Sequence, residues 1–290
     1  MKLRAKFNLM LILAFMFGLG LAAFLSHRIL QSNAREEVIQ NARIMMESAL
    51  GARNYTVQEI RPLLALQINR QFLPQSVSAY AAMQNFKVLR EKFPDYLYKE
   101  AALNPTNPND RATDWEADII NEFRNNLERP ELIVERDTPT GRILYLAYPI
   151  QIKDEGCLPC HSRPEDAPKT LLDRYGAANG FGWKLNEVIG AQIVSVPMTV
   201  PIQRANNIFL TFMVSLAVVF LITMILLNIL LHRVVITPVL KMAKTANEVS
   251  LGNMDAPEYT RSGKDEIASL SASFNRMRRS LENAMRMLGD

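Results

Sequence analysis

Cysteine and histidine are scarce in this chain of 290 residues, with two Cys (Cys157, Cys160) and three His (His27, His161, His232). A four-ligand zinc site needs more than that, and His27 and His232 both sit at the edges of apolar runs, so structural zinc is a poor reading. No arginine-rich stripe interleaves with aromatic residues, and the net charge is only +4. Nucleic-acid binding therefore has no support. No nucleophile–base pair or carboxylate pair stands at an informative spacing, and no enzyme is expected. Internal repeats and low-complexity segments are also missing.

The chain does have long apolar stretches. Hydrophobic residues make up 49% of the sequence and concentrate in two uncharged runs, Phe7 to Ser26 and Ile208 to Leu231. Each reaches the roughly 20 residues that cross a bilayer as a helix. The first follows Lys2, Arg4 and Lys6 and is longer than a signal-peptide core, so an uncleaved signal anchor is expected over a cleaved signal. Lys and Arg at the outer flanks of both runs (Arg233, Lys241 and Lys244 after the second) place those flanks in the cytoplasm. The expected organisation is a cytoplasmic N-terminus at 1–6 and a first transmembrane helix at 7–26. An outer domain follows at 27–206, then a second transmembrane helix at 207–231 and a cytoplasmic segment at 232–290. This describes a multi-pass protein of a bacterial inner membrane with residues 27–206 in the periplasm.

The two cysteines fall in one pentapeptide, Cys157-Leu158-Pro159-Cys160-His161. C-x-x-C-H is the attachment pattern of a c-type haem. Each thiol adds to a vinyl group, and the adjacent imidazole reaches the iron as proximal ligand. The pattern predicts one covalent haem c held by Cys157, Cys160 and His161. The alternative is a disulfide or redox pair.

Apolar periodicity over 28–70 predicts a helix rising from the membrane, interrupted or restarted at Pro62, with a second helix over 61–69. Residues 77–93 read as helix ending at Pro94. Asn104-Pro105-Thr106-Asn107-Pro108-Asn109-Asp110 is a turn cluster. Thr113 or Asp114 caps a helix running to Leu127. Strands are predicted over 142–152, after a turn at Gly141, and over 188–198, with the pentapeptide in a loop between them. The second strand ends about ten residues before the second apolar run, so movement in the outer domain has a short path to that helix.

Beyond the second run, Val235, Val239, Met242, Ala246 and Val249 recur at 4-3-4-3 spacing, with Pro238 near the helix start. Gly252-Asn253 and a connector of about ten residues interrupt the pattern. Ile267, Leu270, Phe274, Met277, Leu281, Ala284 and Leu288 then continue at 3-4-3-4-3-4 spacing, a heptad seam. With Asp265-Glu266 and Phe274-Asn275-Arg276-Met277, residues 232–288 resemble a HAMP domain. The resemblance implies a parallel four-helix coiled coil in a homodimer and relay of movement to a separate cytoplasmic output protein, a kinase or similar.

The outer domain resembles a family of bacterial haem-binding sensor domains with a PAS-like fold and one c-type haem. The resemblance rests on 98–108, Trp115-Glu116, the pentapeptide, Gly180-Phe181-Gly182-Trp183-Lys184 and Gly190-Ala191-Gln192. It implies an α+β fold, an antiparallel sheet flanked by helices, with thioethers at Cys157 and Cys160 and His161 on the iron. Some relatives supply the sixth ligand from a cysteine on an N-terminal helix, and this chain has no third Cys. Met45, Met46 and Met83 are the candidate sixth ligands, although core packing is the plainer role for each. The iron's sixth position is otherwise open. Asn104, Asn107 and Asn109 read as turn formers, Trp183 as core beside the porphyrin, and Tyr55, Arg53 and Arg61 as solvated or touching haem. The expected function is a membrane-bound sensor of redox state or a diatomic gas. The alternative is a membrane-anchored monohaem cytochrome that transfers electrons to a redox partner.

Overall fold

The computed structural model describes residues 3–68, 70–253 and 255–289. Met1 and Lys2 of the expected N-terminal segment, and Asn69 at the end of the expected 61–69 helix, lie outside the described residues, as does the side chain of Leu288. The chain divides into two compact units, one of residues 24–209 and one of residues 1–23 with 210–290.

The 24–209 unit is built on a four-stranded, wholly antiparallel sheet of order β1-β4-β3-β2. Its strands are β1 (Leu97–Ala102), β2 (Leu132–Thr138), β3 (Gly141–Gln151) and β4 (Val188–Pro197). β4 is central and almost entirely buried, which suits its apolar side chains on both faces. Gly190 faces Ala102 across the β1–β4 pairing, where a Cβ would collide with the Ala101 carbonyl oxygen.

Helix α1 (Leu3–Tyr55) places Val38, Ile39, Ala42, Met46 and Ala49 at helical spacing against one sheet face. Pro62 lacks an N–H and crowds the preceding turn, and the chain accommodates it by widening into a π turn at Thr56–Ile60. The expected single helix over 61–69 is instead two short pieces, α2 (Arg61–Leu63) and α3 (Ala65–Ile68). Helix α4 (Ser78–Lys92) adds Ala82 and Phe86 to the same layer, where Phe86 stacks on Tyr98. Helix α5 (Asp114–Asn125) covers the opposite face with Ile119, Ile120 and Phe123. The side chain of Glu116 accepts the Thr113 N–H at 2.7 Å, which sets the start of α5. Each large apolar side chain buried in these layers contributes about 1.5–3 kcal/mol.

The edge strands β1 and β2 are not marked by sequence pattern. In β1, Tyr98 and Glu100 share the buried face, Tyr98 with its ring in the hydrophobic layer and its hydroxyl on Glu100, and Lys99 reaches Glu116 at 2.6 Å. In β2, Arg136 lies over the Trp115 ring at 4.7 Å.

Two short helices, α6 (Leu158–His161) and α7 (Lys169–Tyr175), lie in the segment between β3 and β4. Helix α8 (Thr199–Leu230) starts in the same unit and belongs to the other from Leu210 onward, where it passes into a π turn (Leu231–Ile236) and then α9 (Thr237–Ser250). Pro238 sits in the first turn of α9, where no N–H is needed. Helix α10 (Glu266–Gly289) begins where Asp265 accepts the Ala268 N–H at 2.7 Å. The connector before it is held by hydrogen bonds from Ser271 Oγ (2.5 Å) and Asn275 Nδ2 (3.0 Å) to the Tyr259 carbonyl. The heptad positions Leu270, Met277 and Leu281 stay exposed, at 51%, 68% and 44%. Two helices, Arg4–Leu63 and Thr199–Ser250, are long and apolar enough to cross a membrane.

Candidate functional site around Cys157, Cys160 and His161

The pentapeptide does not lie in an irregular loop, as the sequence suggested. Asp154 accepts the Gly156 N–H at 2.8 Å and starts a 3-10 turn, Glu155–Cys157. This turn runs into α6 (Leu158–His161), a single helical turn with Pro159 near its start. A proline in the first turn costs no hydrogen bond. Cys157 and Leu158 pack with Trp183 against Ala102, Ile152 and Ile189, a small apolar patch at one end of the sheet.

Both thiols are free and half-buried. Burial pushes both up from the ordinary thiol value, and the positive charge of Arg61 opposes that rise at each. They are therefore protonated near neutral pH.

His161 is fixed on several sides. Its Nδ1 lies 2.8 Å from the Gly180 carbonyl oxygen, which can only accept, so Nδ1 carries the proton. Thr106 Oγ1 stands 3.4 Å from the same nitrogen. The ring stacks on Trp183 with centroids 3.9 Å apart and planes 11° from parallel. Backbone bonds from Gly182 N to Ser162 O (2.9 Å) and from Trp183 N to His161 O (3.2 Å) tie the two segments together. Burial pushes His161 below its ordinary value, against the Gly180 hydrogen bond, and keeps the imidazole neutral. A neutral ring protonated at Nδ1 presents a lone pair at Nε2, the form that binds metal.

Gly180 has φ +83°, and a Cβ there would fall onto Thr106. Asn104 braces this turn by accepting the Gly180 N–H (3.2 Å) and donating to the Phe181 carbonyl (3.2 Å). Asn107 accepts the Asn109 N–H, as a turn former does. Thr106 is legible from sequence as part of the turn cluster and Gly180 as part of a glycine-containing match, but neither position carries a local signal for contact with His161.

Met46 is fully buried in the layer between α1, α4 and the sheet, with Met45 and Met83 packed against that layer. This is a different cluster from the one holding Cys157. Arg53 pairs with buried Glu100, which also accepts from Tyr98 Oη at 2.7 Å. Tyr55 is exposed, at 59%.

Two thiols separated by two residues, followed by a neutral imidazole with a free Nε2, form a donor set that fits a c-type haem.

No curated protein matches the chain. One solved structure, described as the crystal structure of the cyanobacterial heme-protein Tll0287, is 18% identical and covers 52% of this chain and 94% of its own, with a TM-score of 0.40. The HAMP domain family matches residues 230–283. The family described as Tll0287-like matches residues 31–197, more than half of the chain. The chain therefore belongs to the Tll0287-like family of heme proteins, with a HAMP domain following that region.

Proposed function

We propose that this protein is an inner-membrane sensor whose periplasmic, PAS-like domain carries one covalent haem c and signals through its HAMP domain to a separate cytoplasmic partner. The observation that carries the reading is the hydrogen bond from His161 Nδ1 to the Gly180 carbonyl, beside two half-buried thiols. Cys157 and Cys160 hold the group through thioethers, and His161 Nε2 is the proximal ligand. The bound group supplies a redox-active iron whose sixth position can exchange. Met45, Met46 and Met83 serve the α1–α4 layer, which supports an open or exchangeable sixth position over a methionine ligand.

The output side of the proposal is a HAMP homodimer. The exposed Leu270, Met277 and Leu281 supply the seam that a second copy would cover. β4 ends at Pro197 and α8 begins at Thr199, so displacement of the sheet reaches that helix within two residues. A bias of about 1–3 kcal/mol between two HAMP packings suffices for a 5- to 150-fold shift.

The test is an absorption spectrum of the protein from cells that mature c-type cytochromes, taken oxidised, reduced, and reduced with carbon monoxide. A haem stain of the denatured band accompanies it. A stained band whose spectrum shifts with carbon monoxide supports the sensor with an exchangeable site. A stained band that does not shift favours electron transfer or pure redox sensing. Without a stained band the haem assignment fails, and a dithiol sensor remains. Deletion of 232–290 must also abolish the cellular response.

A further inference from the structure

The molecule holds a second polar site that the haem reading does not use. In the unit of residues 1–23 and 210–290, a cavity of about 640 Å³ opens between the two apolar helices. Arg4, Asn8, Asn228, His232 and Arg233 are its polar lining, with Met224 among the apolar remainder. No acidic residue lines it. Arg4 Nε donates to Asn228 Oδ1 at 3.4 Å, and Asn228 Nδ2 donates to the Met224 carbonyl at 2.9 Å. Asn8 Oδ1 is buried and has no hydrogen-bond partner among the described residues.

The placement of these groups narrows the ligand. Asn8 is the second residue of the first apolar run and Asn228 lies near the end of the second, so both fall at the same edge of the expected bilayer. Polar side chains within a spanning segment are costly and face partners or cavities. Two arginines beside them, with no carboxylate in the lining, leave uncompensated positive charge at headgroup depth. Basic pockets between transmembrane helices on the cytoplasmic side suit anionic headgroups.

We propose that this cavity binds the headgroup of one anionic phospholipid. Arg4 and Arg233 meet the phosphodiester, and a rotation of the Asn8 side chain, whose Oδ1 is buried without a partner, brings that oxygen into the cavity to accept from a headgroup hydroxyl. Arg233 belongs to the π turn between α8 and α9, so an occupied site would brace the junction through which the HAMP helices are driven. The inference rests on the two helices spanning a membrane and is independent of haem.

The experiment is native mass spectrometry of the full chain in a mild detergent, titrated with phosphatidylglycerol, phosphatidylcholine or phosphatidic acid of equal chain length, and with inorganic phosphate. One phosphatidylglycerol is expected to bind in preference to phosphatidylcholine. Each arginine near a headgroup contributes about fivefold, so R4Q/R233Q should weaken binding about 25-fold. K6Q removes a neighbouring charge outside the cavity lining and should leave binding nearly unchanged. N8L should weaken phosphatidylglycerol more than phosphatidic acid, which lacks the headgroup glycerol and its hydroxyls. A loss of about fivefold in K6Q, the same per charge as in R4Q/R233Q, would reduce the site to diffuse attraction and overturn the proposal. Binding of inorganic phosphate at the same arginines in preference to lipid would overturn it as well. Alkaline carbonate extraction of membranes separately tests the spans, because a chain released by it crosses no bilayer.

Discussion

The imidazole of His161 lies almost parallel to the indole of Trp183, with ring centroids 3.9 Å apart. Because Nδ1 is also held by Gly180, the hydrogen bond and the stack together fix the orientation of the ring and favour the tautomer with its lone pair at Nε2. Aromatic pairs of this kind contribute about 0.5–1.5 kcal/mol beyond buried area. W183L should lower the thermal midpoint by a few degrees and broaden the absorption band of the bound haem. Circular dichroism and the oxidised spectrum read the two effects separately.

The three motif residues should fail in different ways. With the proposed attachment through Cys157 and Cys160, H161A should keep a haem-stained band while its reduced spectrum changes. C157A/C160A should lose the stain altogether. Denaturing gels and pyridine haemochrome spectra distinguish one thioether from two in the single-cysteine variants.

Gly180 is a sharper test of how the site is built. G180A forces a side chain into a positive-φ position and onto Thr106. Strain of this kind costs about 1–3 kcal/mol before any clash. G180A should therefore be clearly less stable in thermal melts, and adding T106G should recover little, because the Thr106 Cα, 2.7 Å from the added Cβ, remains in place along with the positive φ.

The Arg53–Glu100–Tyr98 network should behave as one unit. E100Q leaves Arg53 without its counter-charge, a change that costs about 3 kcal/mol in a fully buried setting and less here because Arg53 is partly exposed. R53M/E100Q should cost less than the sum of the two single variants in a denaturation cycle.

Asp110 gives the protein a pH signature. Burial, then the nearby charge of Glu100, raises its carboxyl from the ordinary 3.8 to about 6. Between those values the folded state binds more proton than the unfolded state, so this group's contribution to stability falls as pH rises from about 4 to 6. D110N should flatten that part of the stability profile, measured as melting midpoint against pH.

The parts of this molecule that were readable from sequence are those whose logic is local. α1, α4 and α5 have helical periodicity or a capping residue, and β3 and β4 are long apolar strands. The chemistry of the pentapeptide is written in five consecutive residues. The edge strands were not legible, because Lys99, Glu100 and Arg136 look like surface residues until Glu116, Arg53 and Trp115 arrive from other elements. The same holds for His161. Its place in the C-x-x-C-H pattern is local, but the carbonyl that selects its tautomer comes from Gly180, in a turn braced by Asn104. The three methionines show the converse, since side chains able to ligate iron are occupied in a hydrophobic layer.

Between β4 and α8 stands a single residue, Met198. Its N–H is given to the Arg142 carbonyl at 2.9 Å, and its own carbonyl receives the Ile202 N–H at 3.1 Å. Its side chain is buried, at 3% exposure. Such a joint has no free swivel. Slipping β4 by one residue would exchange its two buried faces, setting side chains packed in the α1–α4 layer against α5 and the reverse, so this strand does not act as a sliding rod. Strand and helix start form one rigid lever, and what the sheet can deliver to α8 is tilt or torque rather than slack.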